Sequence, residues 1–273
     1  MDDYKKKAIQ QIVDSSIRSF ADGLKDRHVE EAMDPNGTIN KKRKNAFVVE
    51  LGAEFMFYSA LVRSFDSSFG NVLENVGNAI AKLSFETRNK IDSYLLPAQQ
   101  QKIDEIIASY TTDADNRVQP SSEHYSGYTC IVPKNIESFR RVHDTDHCFF
   151  NRARNEFYLI ELKAGGDLDT KKSPAEKKEL LVEYFMLKNV VSANSNVRLF
   201  FGAAYNKDGE GNPWKQASVQ NCFAADELLI GRDYWNFVCD DEQGYEVVMD
   251  QYRQSAAYIR VALNDIKKNY FPG

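Results

Sequence analysis

The hydrophobic period changes once along this chain, which restricts it to folds that combine helices with a sheet. In the first part apolar side chains recur at three- and four-residue steps. Ile9, Ile12, Val13, Ile17 and Phe20 form one stripe, and Val72, Leu73, Val76, Ile80 and Leu83 another. Helices are expected over residues 9–20, 46–65 and 69–83, with a further one ending over 103–110. A turn at Asp34-Pro35-Asn36-Gly37 closes the first, and Ser64-Phe65-Asp66-Ser67-Ser68-Phe69-Gly70 reads as a polar connector capping the third. Turn-rich sequence over 111–122 then separates this helical part from runs of strand type at 128–132, 145–150 and 157–164.

Residues 151–156 would close a hairpin between the last two runs. Ser173-Pro174-Ala175-Glu176 opens a helix, with Ser at the cap, Pro first and Glu three residues beyond the cap. Residues 197–205 return to strand, and 245–270 read as a long amphipathic helix able to pack on the core or on a second subunit. The expected class is α/β: a mixed sheet flanked by helices, with a helical N-terminal half. Its organisation would be a helical region over 1–110 packed on a core over 111–273, together one structural domain.

Of the 273 residues 42% are apolar and 27% charged, as in ordinary globular chains. No stretch reaches the roughly 18 uninterrupted apolar residues of a membrane span, and no signal-type segment opens the sequence, so a cytoplasmic protein is expected. Cys130, Cys148, Cys222 and Cys239 are widely spaced and show no zinc pattern, which reads as reduced thiols. The net charge of −5 lacks the overall basic footprint of a nucleic-acid binder. Contacts to phosphate would therefore fall to local clusters: Lys41-Lys42-Arg43-Lys44, Arg140-Arg141, Lys171-Lys172 and Lys177-Lys178. A solvated face explains any one such run equally well.

The run Phe157-Tyr158-Leu159-Ile160-Glu161-Leu162-Lys163-Ala164 carries the chemistry. Strand alternation puts Phe157, Leu159, Glu161 and Lys163 on one face. Glu161 and Lys163 thus emerge about 6–7 Å apart at the end of an apolar strand, where charge must be compensated. Asp146 lies 161 − 146 = 15 residues earlier, across the expected hairpin, so strand pairing would bring its carboxylate beside Glu161. Two such carboxylates favour a hard divalent cation, with the Leu162 carbonyl as a further ligand. An ammonium at Lys163 would orient water or neutralise charge on a phosphate. The bland alternative is a structural ion pair, since Glu-x-Lys arises by chance about once in a chain of this size.

Asp146-His147, followed by Tyr158 to Lys163 and then Ala164-Gly165, resembles the PD-(D/E)XK signature of type II restriction endonucleases, and is most similar to enzymes cutting GGNCC-like sites. Further similar segments are 64–70, Ala204-Tyr205-Asn206 with Gly209 and Gly211, and 229–235, so the likeness spans roughly residues 46–245. Thr145 stands where the motif's proline would be. The resemblance implies a restriction-endonuclease-like fold and Mg²⁺-dependent hydrolysis of double-stranded DNA by a homodimer, with a cognate DNA methyltransferase as a separate protein. It implies Asp146 and Glu161 as Mg²⁺ ligands and Lys163 as catalytic lysine. A repair or junction-resolving nuclease of the same fold, and a non-enzymatic DNA-binding or scaffolding protein, are the competing readings.

Asp144 shares a strand face with Asp146 and is an alternate ligand. His143 and His147 read as local hydrogen-bonding residues, Glu74 as an exposed helix carboxylate, and Tyr234, Trp235 and Phe237 as core. Expected DNA contacts are Lys171, Lys172, Lys177, Lys42, Arg43, Ser67 and Asn206.

Overall fold

The computed structural model describes residues 1–165 and 168–271. In chain order these form α1 (Asp3–Glu30), α2 (Ala46–Val49), α3 (Ala53–Ala81), β1 (Glu86–Tyr94), α4 (Pro97–Thr111), α5 (Glu123–Ser126), β2 (Arg140–Asn151) and β3 (Glu156–Lys163). There follow α6 (Lys172–Lys188), β4 (Asn196–Ala203), α7 (Ala217–Gln220), β5 (Leu228–Ile230), α8 (Arg232–Cys239) and α9 (Gly244–Tyr270). The contacts divide the chain into two compact units: Met1–Ile80 with the chain from Glu246 onward, and Ala81–Tyr245. β1 and α4, which both begin before residue 110, fall in the second unit. No helix among the described residues is long and apolar enough to cross a membrane.

The first unit is helical. Ile9, Val13, Ile17, Phe20 and Leu24 of α1 are buried, and Phe20 meets Phe65 and Phe69 of α3 at 5.4 and 5.5 Å between ring centroids. The expected connector at 64–70 is therefore helix. Phe57, Leu61, Phe65 and Phe69 keep an unbroken four-residue step through it, and that tertiary burial outweighs the weak local preference of Asp, Ser and Gly for a break. The break falls earlier, at residues 50–52, where Gly52 takes φ +90° between α2 and α3. In this unit α9 joins α1 through Lys25–Asp265 at 2.7 Å and through Ser255 Oγ donating to Asp14 Oδ1 at 2.7 Å.

The described residues of the second unit form a five-stranded sheet in the order β1-β2-β3-β4-β5. β2 runs antiparallel to both of its neighbours, β1 and β3, while β4 runs parallel to β3 and β5 parallel to β4. One face packs under α6 and α4 around Phe157, Leu159, Leu181, Phe185, Leu199 and Phe201. The other is closed by aromatic rings, with Phe237 of α8 against Phe85, Tyr158 and Phe200. Residues 128–132 are not a strand. Ile131 is 94% exposed and no neighbouring chain supplies a ladder, so β propensity alone does not hold one there. β1, which the helical reading of this region missed, is a polar edge strand whose charged residues guard an open rim.

Candidate active site

Within β3, Phe157 and Leu159 enter the core under α6, and the same face continues to Glu161 and Lys163. The antiparallel ladder between β2 and β3 reaches His147 opposite Ile160, which leaves Asp146 and Glu161 as the next residue of each strand beyond the paired stretch. Leu162 N–H donates to Asp146 Oδ2 at 3.2 Å. Because a strand residue sends its N–H and C=O to the same edge, the Leu162 carbonyl faces the Asp146 side as well. β2 is irregular here: between the pairs Arg88–Cys148 and Lys90–Asp144, the three β2 residues 145–147 oppose the single β1 residue 89. Such a bulge re-aims side chains, and within it Thr145 Oγ1 donates to Glu183 Oε2 on α6 at 2.9 Å.

Lys163 Nζ donates to Glu161 Oε1 and pairs with Glu176 Oε1 of α6 at 3.1 Å. Glu161 keeps only 14% of its side chain exposed. Burial raises its carboxyl above the ordinary range, and the charge of Asp146 raises it further. Asp146 is raised for the same first reason, burial, against the Leu162 N–H and the Lys163 charge. Burial alone would lower Lys163, but Glu161 and Glu176 outweigh it, so the ammonium is held. Two acids pair with this one cation and the charge of a third, Asp146, lies within its field, leaving a local negative excess that a further cation would relieve.

Glu176 was read from sequence only as a partner of the helix cap; its position on the helix that follows the active strand was the available signal. Ser173 is not the cap. Asp169 Oδ1 accepts from the N–H groups of Lys171 and Lys172 at 2.9 and 2.8 Å, and the buried Ser173 bonds to the Asp169 carbonyl instead. Gly166 and Asp167 of the intervening loop lie outside the described residues. A side chain at Gly165 would come 2.3 Å from the Tyr205 hydroxyl, so glycine permits that approach beside the site.

Asp144 turns to Lys90 at 3.2 Å on the exposed edge. His143 pairs with the buried Glu183 at 3.3 Å. His147 lies in the core beside Tyr234, Nε2 to hydroxyl 2.8 Å, and burial lowers it to about 4. Tyr234 and Trp235 are core, as expected. Lys171 and Lys172 are exposed at the start of α6. Lys177 is a correction: it is fully buried, paired with Glu227 at 2.6 Å and held 5.1 and 4.9 Å from the Tyr125 and Phe223 rings, so it cannot touch DNA. Asn206 uses its side chain within its own loop, donating to the Asn212 carbonyl and accepting from the Asp208 N–H. Lys42, Arg43, Ser67 and Glu74 belong to the first unit.

Among the described residues no group of three or more His, Cys, Asp or Glu side chains is disposed to hold a metal ion. The donors that do converge, two carboxylates and one carbonyl, match the sparse protein ligation of Mg²⁺, which keeps several waters and takes one or two carboxylates. The model of the family described as "Type II restriction endonuclease, HinfI" matches residues 5–256. The chain belongs to this HinfI family of type II restriction endonucleases. It is accordingly a nuclease whose substrate is DNA, and its mixed sheet flanked by helices, with a helical N-terminal half, is a restriction-endonuclease fold. Searches of curated proteins and of solved structures returned no match.

Proposed function

We propose that this HinfI-family protein is a Mg²⁺-dependent type II enzyme of PD-(D/E)XK type that cuts both strands of double-stranded DNA at a short, partly palindromic site. The observation that carries this reading is the convergence of Asp146, Glu161 and Lys163 at the end of the β2–β3 pair, where β2 bulges against β1. Asp146, Glu161 and the Leu162 carbonyl would hold the ion, whose chemistry when bound is to acidify water and stabilise charge on the phosphoryl oxygens. Lys163 holds a proton and a positive charge at Nζ, where it orients the attacking water and neutralises the developing charge. Glu176 fixes that ammonium from the α6 side. Water oxygen bonds to phosphorus as the 3′ oxygen leaves with a proton, giving 5′-phosphate and 3′-hydroxyl ends.

Two-fold site symmetry calls for a homodimer, each subunit cutting one strand, and for a separate DNA methyltransferase protecting the host. The resemblance to GGNCC-cutting enzymes implies a site of two half-sites about an unread central base pair. We propose that form rather than a particular sequence.

Digesting a phage genome with the purified protein and sequencing the ends tests this reading. Cuts at one short symmetric sequence in plain duplex are expected, abolished by chelator and restored by Mg²⁺. Cutting confined to damaged or branched DNA would reject it in favour of a repair or junction-resolving nuclease.

A further inference from the structure

The first unit contains a cleft of about 350 Å³ whose walls carry cations and hydroxyls and no carboxylate. Arg27 comes from α1, Thr38 and Lys42 from the segment between α1 and α2, and Arg63, Ser67 and Ser68 from α3. In a chain of net charge −5 such a lining is a local reversal of sign. On α3 the positions Ala60, Arg63, Ser64 and Ser67 follow three- and four-residue steps, so they share one helix face. Ala and Ser keep that floor low, which lets a bulky anion approach the helix.

The cleft is also built in advance. The buried Asn40 donates to the carbonyls of Glu31, Ala32 and Asp34 at 3.2, 2.9 and 2.7 Å and so locks the segment that bears Thr38 and Lys42. Gly37 sits where a Cβ would lie 2.6 Å from the Glu31 carbonyl. The nearby Glu31 carboxylate is engaged by the Thr38 N–H at 2.6 Å. Arg27 donates to Ser68 Oγ at 3.4 Å, spanning α1 and α3. Among the described residues neither Lys42 nor Arg63 forms an ion pair, so both cations stand ready for an outside anion.

We propose that this cleft binds a backbone phosphate of the DNA substrate, away from the phosphate that is cut; the proposal rests on the reading of the protein as a DNA-cleaving enzyme. A phosphodiester offers one negative charge and two free oxygens, which the two unpaired cations and the α3 hydroxyls can meet together. Contacts of this kind read no bases, so their contribution is equal for any sequence and falls with salt.

The test is fluorescence anisotropy of cognate and scrambled duplexes in chelator at several salt concentrations. It compares the full-length protein with Lys42→Gln/Arg63→Gln and with Lys42→Arg/Arg63→Lys. The neutral pair is expected to raise Kd on both duplexes, several-fold to about tenfold near 0.1 M salt, and to lower the salt slope by about 0.9, as for the loss of one phosphate contact. The charge-preserving pair should restore most of both. Unchanged Kd and slope in a neutral pair that melts like the parent would overturn the proposal. So would loss of phosphate-induced thermal stabilisation without loss of DNA binding, which would make this a site for free anions. Asp146→Ala, tested for binding in this assay and for cutting in a parallel reaction with Mg²⁺, separates the two claims: cleavage lost with binding retained upholds the nuclease reading whatever the cleft does, and cleavage retained sinks it.

Discussion

Two buried or half-buried lysines in the second unit show how environment, not residue type, sets function. Lys163 lies half-exposed among acids at a strand end, whereas Lys177 is sealed in the core against Glu227. Removing one member of a buried pair leaves the other charge unpaired, so Lys177→Ala should destabilise the protein by roughly 3–5 kcal/mol. Lys177→Met with Glu227→Gln should recover most of that. Urea unfolding of the three proteins checks it, and an unfolding midpoint unaffected by Lys177→Ala would contradict the burial described. The cluster Lys171, Lys172, Lys177, Lys178 offered no way to see this in sequence. Helical geometry turns Lys177 inward with Leu180, Leu181 and Tyr184, a face obscured because residues 180–187 are apolar or buried almost all round α6. Asp146, Glu161 and Lys163 were legible because strand alternation and one hairpin place them without knowledge of anything distant.

At the scale of elements, α1 and α3 are joined where the buried His28 meets Ser64, Nε2 to Oγ 3.1 Å. Burial depresses the His28 pKa below the ordinary 6.5; Arg27 adds to this and Glu31 opposes it. The unfolded chain therefore takes up a proton that the folded chain refuses. His28 contributes no pH dependence well above 6.5, and stability falls as the pH drops through that value toward the folded pKa. The loss is at most about 1.4 kcal/mol per pH unit. Urea unfolding from pH 8 to pH 5 should show a shallower decline in His28→Gln than in the parent; a steeper or identical decline would contradict the account. This same contact explains why α3 was read as two helices. Ser64 to Gly70 looks like a break until Phe20 and His28 of α1 are known to rest on it. β1 escaped for the converse reason, since an edge strand is held by pairing with β2 and needs little apolar sequence of its own.

For the whole molecule, the chain invests a five-stranded sheet in presenting one charged strand end, and carries in its helical unit a separate cationic cleft. The proposed chemistry and the proposed phosphate contact thus fall in different parts of the sequence, an arrangement that would let an acidic protein act on a polyanion. In the proposed enzyme Asp146 and Lys163 serve a single phosphodiester-cleaving site, and groups that act as a unit lose function non-additively. The direct measurement is the single-turnover cleavage rate, with Mg²⁺ and saturating protein, of Asp146→Ala, Lys163→Ala and the double variant, each verified as folded. Each single change should lower the rate about a thousandfold or more, and the double should be little worse than either. Losses that multiply, or cutting that survives either change, would contradict a shared site.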